Sequence, residues 1–212
     1  MFKPHLGLLI PLVLLASRNW RAFAGAAASA VGLSLASAAI FGLDAWRAYP
    51  EQLAMMRAVV EQRLLDPGKV QTVFAALHGW GAPLALAYGA QAATALAVTA
   101  TAAAFAWRHP RSAALGPMLI AATLLVSPYL LDYDLLLAAI PLAWLFAQGG
   151  ENGFRRWEKA VMLGAYILPL VARLLATGLR APIAPVVLAA LLIIVVRRGL
   201  SGPPGQPAAS SP

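Results

Sequence analysis

Two short runs hold the residue types that could bind or transform a polar substrate. The first, Phe2-Lys3-Pro4-His5, sets an ammonium and an imidazole two residues apart at the head of an apolar stretch, with a proline suited to a first helical turn. Lys3, the His5 N–H and the free backbone donors of that turn can together hold a phosphate group. A snorkelling lysine beside an interfacial histidine would use the same residues with no ligand. The second run, Ser127-Pro128-Tyr129-Leu130-Leu131-Asp132-Tyr133-Asp134, follows a proline break with two acids two residues apart. Asp132 and Asp134 can accept hydrogen bonds from sugar hydroxyls, and Tyr129 offers an apolar face with a polar tip. An aromatic belt with an aspartate helix cap is the plainer use. Acids near membrane depth are costly and are usually kept for function, which leaves both uses open.

Other chemistries are excluded or unsupported. Cysteine is absent, so there are no disulfides, thiolate nucleophiles or thiolate metal sites. His5, His78 and His109 are far apart and make no ligand-spaced cluster, so no metal site and no cofactor is expected. The formal charge of +8 is spread as short Arg pairs between apolar runs, the pattern of membrane topology determinants and not of a nucleic-acid surface.

The elements that must position these residues are membrane helices. Of the 212 residues 61% are hydrophobic and 11% charged, against about 25% charged in ordinary soluble domains. With a mean hydropathy of +0.74, the useful unit is the spanning helix of about 20 residues. Met1 to Ser17 imitates a signal peptide, but cleavage before Arg18 would place Leu15 where a small residue is needed. It reads instead as a short or truncated span, since Pro4 to Ser17 covers only about 21 Å of a core about 30 Å thick. Trp20 to Leu43 is crowded with Gly25, Ser29, Gly32, Ser34 and Ser37, which predicts close packing inside a bundle. Ala82 to Ala106, Ala113 to Val126, Tyr133 to Ala147, Trp157 to Thr177 and Pro182 to Val196 complete an all-α polytopic transmembrane bundle of about seven spans.

The one long hydrophilic connection runs from Asp44 to Gly81. Leu53, Met56, Val60 and Leu64 recur at helical spacing within it, predicting an interfacial amphipathic helix over Pro50 to Leu65, ended by Asp66-Pro67-Gly68. Val70 to Leu77 then begins a second apolar piece bearing Gln71 and His78. The connector either rests on lipid headgroups or lines a substrate site.

Loop charge sets the orientation. One side collects nine basic and two acidic residues, net +7, and the other seven basic and six acidic, net +1, together the chain's +8. The first is the expected cytoplasmic side of a cell inner (plasma) membrane, with the N-terminus outside and the C-terminus inside. Residues 1–198 then form the bundle, with outer loop 44–81, and residues 199–212 a disordered tail rich in Pro, Gly and Ser.

Lys3-Pro4-His5-Leu6-Gly7-Leu8-Leu9-Ile10-Pro11-Leu12, the Arg18-Asn19-Trp20-Arg21 turn, Gln71-Thr72-Val73-Phe74 and Ser127 through Asp134 resemble the C-terminal half of glycosyltransferase family 87, up to about Arg198. That is a family of GT-C class membrane enzymes similar to the polyprenol-phosphate-mannose-dependent mannosyltransferases. The resemblance implies an inverting hexose transfer from a lipid-linked sugar donor to an extracytoplasmic glycan or lipid acceptor. It implies phosphate binding by Lys3 and His5, with Gln71, Tyr129, Asp132 and Asp134 lining the substrate site. The general base of the family is expected on a first extracytoplasmic loop that no residue here matches, and Met1 falls directly before the Lys-Pro-His motif. A partial enzyme is therefore expected, with the catalytic residue unknown. The readings from other classes are a transporter or channel fragment and a non-catalytic structural membrane subunit.

Overall fold

A computed structural model describes residues 3–66, 68–179 and 181–201. Residues 1–2, Pro67, Arg180 and 202–212, most of the tail expected over 199–212, lie outside them; Gly199 and Leu200, expected in that tail, are instead the last residues of a helix that continues past Val196. A 3₁₀ turn at Pro4–Gly7 leads into α1 (Leu9–Ala16), and Pro11 sits in the first turn of α1, where a missing N–H costs least. Then come α2 (Trp20–Phe41), α3 (Leu43–Arg47), α4 (Tyr49–Glu61), α5 (Val73–Gly79), α6 (Leu84–Arg108) and α7 (Leu115–Val126). A 3₁₀ segment, Asp132–Ala138, runs on into α8 (Ala139–Asn152), followed by α9 (Glu158–Gly178) and α10 (Ala184–Leu200). All seven apolar stretches are helical. Four are long and apolar enough to cross a membrane: Trp20–Phe41, Leu84–Arg108, Asp132–Asn152 and Glu158–Gly178.

The expectation that the second span packs within the bundle is overturned. None of the 22 residues of α2 is buried, and a Cβ added at Gly25 or Gly32 would meet nothing within 4 Å. Small residues permit close approach but do not supply a partner, and α2 packs chiefly on its sequence neighbours α1 and α3. The amphipathic helix is present but ends four residues early, at Glu61, because Arg63 takes a left-handed φ of 56°. Only Val60 of α4 is buried; Leu53, Met55 and Met56 are exposed along the helix, as an interfacial element requires.

The core is built round α7. Seven of its twelve residues are buried, among them Met118, Ala121, Ala122, Leu124 and Leu125, and it packs on α1, α6, α8 and α10. At about 1.5 Å per residue it is only about 18 Å long, so its carbonyl end stops inside the protein. Gln91, buried in α6, meets that end: its Nε2 donates to Leu125 O at 3.0 Å and to Val126 O at 3.2 Å. Its Oε1 accepts from Phe74 N at 3.2 Å, satisfying a free N–H in the first turn of α5. One side chain thus ties together the ends of two helices.

The opposite end of the bundle has a charged counterpart. Arg198 of α10 donates from Nε to Glu158 Oε1 at 3.0 Å and from Nη2 to Glu158 Oε2 at 2.5 Å, and both side chains are buried. Its Nη1 donates to Gln148 O at 2.8 Å, near the C-terminus of α8, and its Nη2 also to Gly153 O at 2.8 Å. Arg198 is therefore structural, whereas loop charge alone treats it as one more topology determinant.

Gln91→Leu should lower stability by about 1–3 kcal/mol, because two buried carbonyls and one N–H lose their partner together. Thermal unfolding in detergent micelles would measure it. A variant as stable as the wild type would show that Gln91 does not hold these ends.

Candidate functional site

Lys3 and Asp134, 131 residues apart, meet. The Lys3 Nζ donates to Asp134 Oδ1 at 2.8 Å and Oδ2 at 2.6 Å, with the side chains 17% and 6% exposed. The Tyr133 ring lies 4.0 Å from the ammonium. Asp134 is held from its own side as well, since Oδ2 accepts from Leu131 N at 2.9 Å.

The outer loop is brought to this pair by a short antiparallel pairing. Val70 bridges Leu131, Gln71 N donates to Leu130 O at 2.9 Å and Asp132 N donates to Lys69 O at 2.9 Å. Pro128 ends α7 and frees the backbone that makes these bonds. Thr72 then caps α5, its hydroxyl oxygen accepting from Ala75 N. Gln71, 1% exposed, donates from Nε2 to Gly68 O at 2.6 Å, and its Oε1 has no partner among the described residues.

Tyr129 joins a second network. Its hydroxyl is 3.3 Å from that of Tyr88, which donates to Glu61 Oε1 at 2.8 Å; Arg57 Nε donates to the same oxygen at 2.7 Å. The bonds from Arg57 and then Tyr88 hold the Glu61 carboxyl below its usual range. His78 Nε2 is 3.2 Å from Arg63 Nε, and Arg63 Nη2 donates to His78 O. Beside them lies a cavity of about 630 Å³, lined by Val60, Arg63, Val70, Phe74, His78 and Ala176 among others.

Arg173 closes the site from α9. It donates to Asp66 Oδ2 at 2.6 Å and lies 3.9 Å from Asp132 Oδ2. Asp66 is held below the usual carboxylate range by Arg173 first and by the Gly68 N–H second. Gly68 is required here: a Cβ would come within 2.7 Å of Arg173 Cγ and 2.8 Å of Arg173 O.

All six candidate residues from the sequence fall at one end of the bundle. Lys3 and Asp134 pair directly; Gln71 and Asp132 are joined to this pair through backbone, and Tyr129 belongs to the separate Tyr88–Glu61 network. Three buried side-chain atoms here lack partners among the described residues: His5 Nε2, Gln71 Oε1 and His78 Nδ1. Sequence reasoning missed Tyr88, Gln91 and Arg63; for the first two the available signal was a polar group inside an otherwise apolar span. No group of three metal-ligating side chains exists among the described residues. The arrangement can present hydrogen-bond donors and acceptors, and one held ammonium, to a polar ligand.

These features define a polytopic helical membrane protein with a polar site at the loop end of its bundle. The chain belongs to glycosyltransferase family 87, whose family model matches residues 1–128, and with it to the GT-C class. The matched segment stops well short of Arg198, so Tyr129, Asp132 and Asp134 lie beyond it and rest on geometry alone. No curated protein and no solved structure matches the chain.

Because the folded Asp66 pKa is depressed, its link to Arg173 contributes above the unfolded carboxylate value of about 3.9 and is lost as pH falls through the lower folded value. Protection of the 68–72 backbone from hydrogen exchange should therefore persist to below about pH 4. In Arg173→Met it should already be reduced at neutral pH. Unchanged protection in that variant would detach Arg173 from the order of the loop.

Proposed function

We propose that the chain binds a polyprenyl-phosphate hexose, mannose-like, for transfer to a glycan or lipid acceptor on the extracytoplasmic side of a cell inner (plasma) membrane. The observation that carries this reading is the trio of buried polar atoms without partners among the described residues at one end of the bundle, of which His78 lines the cavity. Buried polar groups are ordinarily paired, and the missing partners call for a ligand that both donates and accepts hydrogen bonds. A sugar phosphate does both. Gln71 Oε1 would accept from a sugar hydroxyl, and Tyr129 and Asp132 stand on the same wall.

Two of the three ammonium hydrogens of Lys3 go to Asp134. The third, with His5 Nε2, is what a donor phosphate would meet. Asp134 and Tyr133 are positioning residues that hold the ammonium at the apolar edge, where a charge-assisted bond is strong. In the transfer, an acceptor hydroxyl attacks the anomeric carbon, the bond from that carbon to the phosphate oxygen breaks, and the lipid phosphate leaves with the electron pair. The acceptor proton goes to a general base. Glu61, Asp66 and Asp134 are each committed to a cation, and Asp132 is partly so, which favours donor binding over proton abstraction as the role of these four residues.

Lys3→Ala should weaken binding of a short-chain polyprenyl phosphate about tenfold to a hundredfold, the worth of one charged hydrogen bond. Lys3→Met/Asp134→Asn removes the cation without stranding a buried carboxylate, and it should bind as weakly as the single variant. Arg21→Ala, at the far end, should bind normally. Wild-type affinity in the double variant would remove Lys3 from the phosphate site.

The orientation is tested separately by reporter fusions in the 44–81 loop and after residue 212. The first should be active only outside the membrane and the second only in the cytoplasm. The opposite result would place this site in the wrong compartment.

A further inference from the structure

The end of the bundle remote from the candidate site has a cavity of its own. About 440 Å³ in volume, it lies between the α6–α7 turn and the facing ends of α8 and α10, and its walls include His109, Arg111, Ser112, Trp144, Gln148 and Arg198. The turn is tight, with Ser112 N donating to His109 O at 3.1 Å. Ser112 Oγ accepts from Ala114 N at 3.2 Å, which leaves its hydroxyl hydrogen to donate. Among the described residues Arg111 forms no ion pair and the His109 ring has only a ring contact with Phe105. A guanidinium, an imidazole and a hydroxyl thus stand on four consecutive residues at one wall. Trp144 supplies an apolar face opposite, of the kind favoured at the membrane interface.

The surroundings are strongly basic. Arg155 bonds Arg197 O and Ser201 Oγ, and Arg18 stacks on Trp107 at 4.2 Å, so the Arg-rich loops assemble at this end. Of the two acids there, Glu158 is consumed by Arg198. Arg198 fixes the floor of the cavity with four of its five N–H groups engaged, so the anion-binding donors are chiefly those of the turn.

We propose that this cavity binds the phosphate of an anionic phospholipid from the adjoining leaflet, with Arg111, His109 and Ser112 on the phosphate oxygens and Trp144 against the glycerol and upper acyl region. Basic pockets between membrane helices are suited to such headgroups by charge and by position at the interface. Diffuse attraction of lipid to a basic face would not depend on which arginine is removed. A built pocket would.

The test uses the full chain in nanodiscs of phosphatidylcholine with and without phosphatidylglycerol, with native mass spectrometry counting retained lipid. Wild type should retain phosphatidylglycerol in preference to phosphatidylcholine. Arg111→Ala should lower that preference about tenfold, and His109→Ala/Arg111→Ala further. Arg156→Ala and Arg21→Ala, on the same end but outside the cavity, should leave it unchanged. Equal losses from all the arginine variants would reduce the effect to diffuse charge and overturn the site. Stabilisation of the detergent-solubilised chain by inorganic phosphate, with no preference among lipids, would assign the pocket to free phosphate and also overturn the lipid proposal. Arg111 is exposed, so its removal should not unfold the chain; near-wild-type thermal unfolding of each variant checks this.

Discussion

A helix that stops inside an apolar environment leaves backbone N–H and C=O groups that water cannot reach, and most of this structure is organised by how those groups are satisfied. The central helix α7 is too short to carry its own ends to the interface. Gln91 supplies the missing donors at its carbonyl end and in the same stroke accepts from the start of α5. That fixes where the outer loop re-enters the bundle. With α5 anchored, residues 69–71 lie against 130–132 and pair with them, and the loop and the Ser127–Asp134 run become one wall. Arg198 solves the same problem at the other end, where a full charge is tolerable because Glu158 neutralises it and the carbonyls of Gln148 and Gly153 take two further donors.

Much of this was legible in the sequence, for reasons that also mark the limits. All seven apolar stretches are helices, within a few residues of their predicted bounds, because length and hydropathy are local properties. The amphipathic spacing of Leu53, Met56 and Val60 identified α4, but not its end, since nothing about Arg63 announces a left-handed backbone. The small residues of α2 were read as a packing face; composition describes the helix surface and not whether a neighbour exists, and in the structure none covers it. Lys3-Pro4-His5 and the Asp132/Asp134 run each stood out as possible chemistry. That Lys3 and Asp134 neutralise one another was hidden by their separation in the chain, and it makes Asp134 the counter-ion of Lys3, the residue proposed to meet a phosphate.

The distribution of ion pairs distinguishes the two ends of the bundle. At the loop end five of six acids are engaged by a basic residue: Asp44, Glu61, Asp66, Asp132 and Asp134. Such an end is polar yet nearly charge-compensated, which suits recognition of hydroxyls by directed hydrogen bonds with one held cation for a phosphate. A transporter reading would need ionisable groups exposed along a path through the middle of the spans. Arg173, the residue that most resembled one, is drawn to the loop by Asp66 and leaves no such path among the described residues.

At the other end only Glu158 is paired, and it is spent inside the protein on Arg198. The surplus arginines there therefore face the membrane boundary with little internal compensation, and their field adds rather than cancels. Helices α8, α9 and α10 are locked to one another at the basic end by a single guanidinium, and α9 carries Arg173 to the Asp66 loop at its opposite end. Through Arg173 and α9 the Asp66 loop is thus tied to the buried Glu158–Arg198 pair, so a pair at the basic end helps set the geometry of the loop end.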